Sequence, residues 1–459
     1  SLAVSADVGD QPRADNPGAL TASELAANRN QPAALNVSRR AGKDVSQMQA
    51  GATLRRQFAG RGEAALTLFG LTRDLENPLP FAYIRIDRVA YGTRLTVTRD
   101  LPLAGLPHRL TAGLDFQRLR DDRLNFGNVG GQPDTIRSLD QLEHVTEIGP
   151  FVQSAWELSP AAALTTGLRY DRVSFSVGDR LVTADNPDDS GERVMDAVSG
   201  SLGATLSGPG GSTLYASVGS TFETPTTTEL ANRPDTAGGF NAGLEPQRSW
   251  SYEVGARGSG DGRVTWSLAL FRADVRNLLV SFEIPTSPQR RFFRNAGRAR
   301  HVGVEVGAAA RLGAAVDAAL AWTWSDFRYV DYAVSAGGQA VRLDGRALPG
   351  IPEHWVRLLA RARPGFAGGG WLEIEQTLSS GYRADDVASV RTEPYAVTHV
   401  RAGWDGTVGG VRLSPFVGLN NAFNDYHVGS VVINAAAGRY FEPAPGRNVY
   451  VGFSLGAAR

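Results

Sequence analysis

Arg290, Arg291 and Arg294 place three guanidinium groups within five residues. Each offers a rigid fork of donors that grips an oxygen anion through two hydrogen bonds at once. Downstream, Trp324, Tyr329 and Tyr332 form an aromatic group, and Tyr426, His427, Arg439 and Tyr440 a mixed one. Tyrosine and tryptophan supply broad, rigid contact with a polar tip. The combination suits non-covalent contact with an anionic ligand. Bond-making chemistry is not indicated. The 6 histidines are dispersed without a His-Glu-x-x-His spacing, and with Cys 0 there is no thiol nucleophile and no zinc thiolate. No catalytic residue, no metal site and no resident cofactor is expected.

Composition narrows the setting. Lys+Arg and Asp+Glu balance at 47 each over 459 residues. No basic stripe is offered to a phosphodiester backbone, so nucleic acid is excluded as a partner. Hydrophobic residues make up 42% and never gather into a run of about 18, which excludes helical membrane spans. The texture is uniform from end to end, without a linker, and points to one domain over 1–459.

What must position the candidate residues is a rhythm of amphipathic segments. In 249–257, Trp250, Tyr252, Val254 and Ala256 oppose Ser251, Glu253, Gly255 and Arg257. In 263–271, Val264, Trp266, Leu268 and Leu270 oppose Thr265, Ser267 and Ala269. Apolar residues at every second position give a strand one face for hydrocarbon and one that tolerates charge. Eighteen such segments can be marked, from 1–7 to 446–457. Tight turns at Ala59-Gly60-Arg61, 207–211, 259–262 and 405–407 alternate with long polar connections at 8–45, 74–85, 121–142, 175–192, 221–247, 276–297, 328–351, 382–394 and 422–445. Most segments run to about 10–15 residues, longer than the usual soluble strand of about 5–6 and long enough to cross a bilayer at a tilt. The pattern predicts an all-β fold, a transmembrane antiparallel β-barrel with short turns on one rim and long loops on the other. Within the loops, 16–29 reads as a short helix capped by Thr21 or Ser23. The 276–297 connection reads as a hairpin rising above the membrane.

At 221–257 the residues themselves become distinctive. Phe222-Glu223-Thr224-Pro225 with Glu229-Leu230, then Asn241-Ala242-Gly243-Leu244-Glu245-Pro246 and Tyr252-Glu253-Val254-Gly255, resemble TonB-dependent outer-membrane receptors. Gln247 departs mildly, standing where an acidic residue is commoner. Gly167 to Asp171, Asn295-Ala296-Gly297 with Gly303-Val304-Glu305, and Gly418-Leu419-Asn420-Asn421 followed by Gly438 to Arg447 are similar to further stretches of that family, in the same order. Residues 1–166 fit the architecture without a sharp motif.

The resemblance implies a barrel that is 22-stranded when complete and filled by an N-terminal plug, with about 18 strands in this chain and the plug and about four strands outside it. No export leader precedes Ser1, which agrees with further sequence upstream. Family members usually end on an aromatic residue read by the barrel-assembly machinery, whereas here Phe453 and Leu455 are followed by Gly456-Ala457-Ala458-Arg459. The implied function is capture of a ferric siderophore at the surface of a Gram-negative cell and energised passage into the periplasm, iron being carried as cargo. The implied partners are the TonB-ExbB-ExbD complex, engaged through the missing N-terminal region, and outer-membrane lipid and lipopolysaccharide. Receptors for haem, cobalamin or an oligosaccharide share the architecture, and a passive diffusion channel is the plain alternative for any barrel. The motif residues Phe222, Pro225, Glu229, Asn241, Leu244, Pro246, Tyr252, Glu253, Asn295, Gly297, Glu305, Asn420, Asn421 and Arg447 are expected to organise loop bases and lumen rather than touch cargo. The ten candidate contacts have a competing reading as well, since rim aromatics build interfacial girdles and rim arginines pair with lipopolysaccharide phosphates.

Overall fold

The computed structural model describes residues 1–58, 61–231, 233, 240–260, 262–336 and 339–457. The expected turn residues Ala59, Gly60 and Asp261 and the terminal Ala458 and Arg459 lie outside them. One 19-stranded antiparallel sheet dominates, each strand bonded to its neighbours in the chain. Tyr395–Trp404 and Gly406–Val408 both pair with Val411–Asn420 and form a single pass. The sheet is therefore a meander of eighteen passes, the number read from the alternation. Among the described residues no helix is long and apolar enough to cross a membrane.

Boundaries depart from expectation at the top. The first strand is Leu2–Asp15, not 1–7. The expected loop 121–142 is mostly strand: His108–Val129 and Gln132–Ser159 turn on Gly130 and Gly131 alone, both at positive φ (61° and 89°), which glycine adopts without steric cost. Likewise Gly62–Pro78 and Tyr83–Asp100 are joined by four residues, 79–82. These towers persist because the alternation does not stop where the hydrocarbon stops. On the lumenal side charged residues go on pairing across the strands, as Arg88 does with Asp121, Nε and Nη2 lying 2.7 and 2.6 Å from its two oxygens. The 276–297 hairpin exists as expected, with Leu278 to Phe282 facing Ala296 to Phe292. The helix of the first loop is Ala22–Ala27, with Thr21 and Glu24 forming a reciprocal capping box.

The two faces are sorted as the pattern requires. Trp266, Leu268 and Leu270 point outward and exposed. The lumenal face carries a lattice of ion pairs: Asp115 accepts from Arg94 Nε at 2.6 Å and Arg169 Nη1 at 2.7 Å, and Arg169 Nε also donates to Asp171 at 2.7 Å. Arg401 reaches Glu373 in the same way. A side chain at position 149 would put its Cβ 2.1 Å from the Arg169 guanidinium, so Gly149 is what lets that group lie against the wall.

A barrel that presents its apolar face to lipid has no conventional core, and the principal buried apolar clusters sit in the crown of loops. One gathers Val173, Phe175, Val177 and Met195 beneath Leu230, Phe240 and Leu244. A second gathers Val280, Ala296, Tyr329, Tyr332, Val334 and Leu343. A third is Ala19, Val432 and Ala435 with Tyr440 packed against it.

Candidate functional site

Beneath the crown lies a cavity of about 1010 Å³, walled by the first loop, the tops of the towers, the 276–297 hairpin and the last loop. Its lining includes the cations Lys43, Arg123, Arg233, Arg290, Arg291 and Arg439 and the acids Asp179, Asp185, Asp189, Glu283 and Glu442. Of the ten candidate contacts, Arg290, Arg291 and Arg439 are brought together here. Arg291 is exposed to the cavity. Arg290 lies 5.2 Å from the Phe292 ring centroid, and burial together with the nearby Arg123 charge makes its cation less favourable than usual. An anion entering the cavity relieves that cost.

Arg439 is held by the first loop. Its Nη2 and Nη1 donate to the two Glu24 oxygens at 2.8 and 3.0 Å, and Nη1 also to the Ala19 carbonyl at 3.1 Å. Leu20 and Phe441 exchange backbone hydrogen bonds at 2.7 and 3.1 Å. Arg29 donates to the Ala444 carbonyl at 2.8 Å and lies 4.3 Å from the centroid of the Tyr426 ring. First and last loops, more than 400 residues apart in the chain, thus form one wall of the cavity.

Three other candidates form a second constellation. Tyr329 is 1% exposed and Tyr332 5%, so neither presents a surface to a ligand. Tyr329 Oη donates to Asp386 at 2.6 Å, Asn434 Nδ2 donates to the other Asp386 oxygen at 3.0 Å, and Arg294 Nε donates to Tyr332 Oη at 2.8 Å. Asn434 Oδ1 accepts the Asp386 backbone N–H at 2.9 Å, and its Nδ2 also donates to the Ser281 carbonyl at 3.0 Å. Four loops are clamped at one buried carboxylate. Burial raises the Asp386 carboxyl above the ordinary range, against the pull of the Tyr329 and Asn434 donors and the Arg294 charge, and pushes Tyr332 up to about 12. Sequence reasoning passed over Asp386, Asn434 and Glu24.

The remaining candidates stand apart from the cavity. Trp324 faces Val304, which faces outward-pointing Leu270, so it belongs to the outer girdle. Tyr426 is 68% exposed. His427 packs at a tilt against Tyr395 at 4.4 Å, and burial lowers its pKa. Tyr440 packs beside the third apolar cluster.

The motif residues lie at loop bases and on the strands beneath them. Asn295 Nδ2 donates to the Glu245 and Asn277 carbonyls at 2.8 and 2.9 Å while its Oδ1 accepts the Glu245 N–H at 2.8 Å. Asn421, at φ 49°, accepts the Asp425 N–H at 2.7 Å and donates to its carbonyl at 2.9 Å. Asn420 Nδ2 donates to Asn448 at 3.0 Å, and the Arg447 N–H donates to Asn424 at 3.0 Å. Glu229 completes a capping box with Thr226, and Pro225 and Leu244 are buried beside that turn. Pro246 is buried and Asn241 donates its N–H to the Leu230 carbonyl at 2.5 Å. Phe222 lies 5.6 Å from the Arg248 guanidinium, and Glu253 accepts from Tyr215 at 2.7 Å. A Cβ at Gly297 would meet the Asp331 carbonyl at 2.4 Å. Tyr252 points outward, and Glu305 lies on the lumenal face, opposite Ala269. One string, Gly452-Phe453-Ser454-Leu455-Gly456, has the spelling of a nucleophile elbow. It lies inside the extended strand Asn448–Ala457 and lacks the strand-to-helix turn that exposes such a serine.

A meander of amphipathic strands with a polar lumen, under a crown enclosing an arginine-bearing cavity, has the architecture of an outer-membrane β-barrel. Residues 6–422 match the family model of the TonB dependent receptor-like β-barrel, and the chain belongs to that family. Its members are outer-membrane proteins of Gram-negative bacteria and are transporters, not enzymes. Over 241 residues the chain is 29% identical to the ferrioxamine B receptor of Salmonella typhimurium, a match covering 48% of this chain and 31% of that one. The fold superposes on the ferric citrate transporter FecA with TM-score 0.78 at 15% identity, covering 99% of this chain and 67% of that one. For the siderophore receptor PiuA of Acinetobacter baumannii the TM-score is 0.75 at 15% identity, with 98% and 70% covered. The match to the ferrioxamine B receptor spans about a third of that receptor's length.

Proposed function

We propose that this barrel captures a ferric siderophore in the crown cavity and passes it to the periplasm with energy delivered through TonB. The observation that carries the reading is the convergence of Arg290, Arg291 and Arg439 on a cavity of about 1010 Å³, at the upper end of the size range of small-molecule sites. Arginine forks suit the carboxylate, catecholate or hydroxamate oxygens that wrap a ferric ion. An outer membrane stores neither ATP nor an ion gradient, so uptake against a concentration difference needs energy from the inner membrane. The plug and remaining strands expected of this family complete the proposed route. Similarity to the ferrioxamine B receptor supports the siderophore assignment over haem, cobalamin, an oligosaccharide or passive diffusion.

The test is quenching of intrinsic tryptophan fluorescence by a panel of ferric and iron-free siderophores, with the wild type and R290A/R291A. At least one ferric chelate should bind more tightly than its iron-free form, and the double variant should weaken it about tenfold or more, the value of one to two charge-assisted hydrogen bonds. Equal binding of loaded and iron-free chelators, or unchanged affinity in the variant, overturns the reading.

A further inference from the structure

Building on capture in the crown cavity as proposed above, we infer that Arg123, Gln141 and Glu143 form the floor of the cargo site. There an anionic ligand takes Arg123 from Glu143, and the freed carboxylate binds a proton. Strand register sets two acids against each other at this floor. Arg88, Asp121 and Glu143 stand in one row across Tyr83–Asp100, His108–Val129 and Gln132–Ser159. Like charges directly opposite destabilise a sheet, and both acids are 1% exposed. Asp121 is settled, since it accepts both hydrogen bonds of Arg88 at 2.7 and 2.6 Å. Glu143 is not. Its cation, Arg123, comes no nearer than 3.5 Å, and its Oε1 accepts no hydrogen bond among the described residues.

Arg123 is loosely held as well. It is buried, and it donates to Asn125 at a long 3.4 Å. It lines the cavity beside Gln141, its register partner on the neighbouring strand. Gln141 is 2% exposed, and its Oε1 has no partner among the described residues. Buried polar groups call for partners. An entering ligand completes both, with an oxygen anion on the guanidinium and a polar group on the amide, which can turn either end to it.

The consequence falls on Glu143. Its row stands above the hydrocarbon, because the outward residues of His108–Val129 are apolar from Leu110 to Phe116 and charged from Arg118. Burial raises the Glu143 carboxyl, opposed by the Arg123 charge, reinforced by Asp121, and opposed again by the Thr227 hydroxyl. Facing it are Arg88, Asp121 and Arg123 on the strands and Thr227 on the 221–247 loop, while Arg290 of the hairpin acts on Arg123. Once a ligand's charge offsets Arg123, no other cation of this set replaces it, since Arg88 is committed to Asp121. The carboxyl then holds a proton more readily still, and one enters from water as the ligand arrives. Affinity rises as pH falls through the bound-state value and levels off below the free-state value, by at most about tenfold per pH unit.

The test is isothermal calorimetry of the detergent-purified full chain with ferric citrate and a ferric tris-hydroxamate, in buffers of different ionisation enthalpy from pH 8 to pH 5. Wild type should take up about one proton more per bound chelate than E143Q. E143Q should bind more tightly than wild type at pH 7, the two converging as pH falls, and R123Q should bind about tenfold more weakly. Without ligand, R123Q should show the infrared band of a protonated carboxyl at pH 6 that R123Q/E143Q lacks. Unchanged heat-dependent gel mobility confirms folding; if R123Q does not fold, calorimetry of E143Q carries the measurement. Equal proton uptake in wild type and E143Q, or no such band in folded R123Q, overturns the coupling and leaves the transport reading standing. If no ferric chelate binds at all, both fall together.

Discussion

Replacing Asp386 with alanine tests whether one buried carboxylate holds the crown shut. The side chain accepts from Tyr329 at 2.6 Å and Asn434 at 3.0 Å, while the Tyr332 contact at 3.4 Å is too long to count for much. Two good hydrogen bonds to a charged acceptor are worth about 1.5–3 kcal/mol each, and truncation also leaves the Tyr329 hydroxyl buried without an acceptor. Water entering the gap recovers some of this, so a local loss of about 3–5 kcal/mol is expected, in line with other broken buried charge contacts. Hydrogen exchange read by mass spectrometry over 328–351, 380–394 and 422–445 should then speed up by two to four orders of magnitude, roughly tenfold per 1.4 kcal/mol. Exchange in the lower part of Val264–Ile284 should not change, since no latch residue touches it. Because burial raises the Asp386 carboxyl, the closed crown binds a proton more readily than the open one. Its contribution is complete below the ordinary aspartate range and is lost as pH rises through the raised folded value. Wild-type protection, corrected for intrinsic rates, should therefore hold or increase from pH 7 to pH 5. Unchanged exchange in all three loops of D386A, or equal acceleration throughout the sheet, would refute a local latch.

Two further outcomes follow from the faces and the first loop. Spin labels at positions 266 and 267 in native membranes should report opposite environments, oxygen-accessible at Trp266 and accessible to a polar nickel chelate at Ser267; matching polarity would sink the barrel assignment. Glu24 is held below the usual carboxylate range by the Thr21 N–H and by Arg439, so its contribution is present above that range and is lost as pH falls through the depressed value. The half-exposed geometry keeps the effect small: E24Q should raise exchange in 16–41 about twofold to fivefold at pH 7, and the difference from wild type should shrink as pH falls below the ordinary carboxylate range.

Much of the architecture is legible because a strand's two faces are written locally. Period-2 alternation in 249–257 and 263–271 needs no tertiary information, and the capping box at Thr21 and Glu24 is spelled within four residues. One further signal was present and unused. Along Ala162–Asp179 the apolar residues sit at even positions low in the strand (Leu164, Leu168) and at odd positions above (Val173, Phe175, Val177). That change of phase marks where the apolar side stops facing lipid and turns inward under the crown. The tower at 121–142 reads as loop in the sequence for a related reason: once charge replaces hydrocarbon-facing residues, the alternation is between polar types and no longer visible as hydrophobicity.

The local code thus determined that this chain is a membrane meander of eighteen passes with long loops on one rim, because strand faces and tight turns are set by neighbours in sequence. Tertiary structure alone decided which loop residues meet. Asp386 finds Tyr329 57 residues away and Asn434 48 residues away, and Arg439 finds Glu24 at a separation of 415. No periodicity encodes such contacts. They depend on strand tilt and register summed around the sheet, which turned Tyr329 and Tyr332 into buried struts and left Arg290, Arg291 and Arg439 facing the cavity.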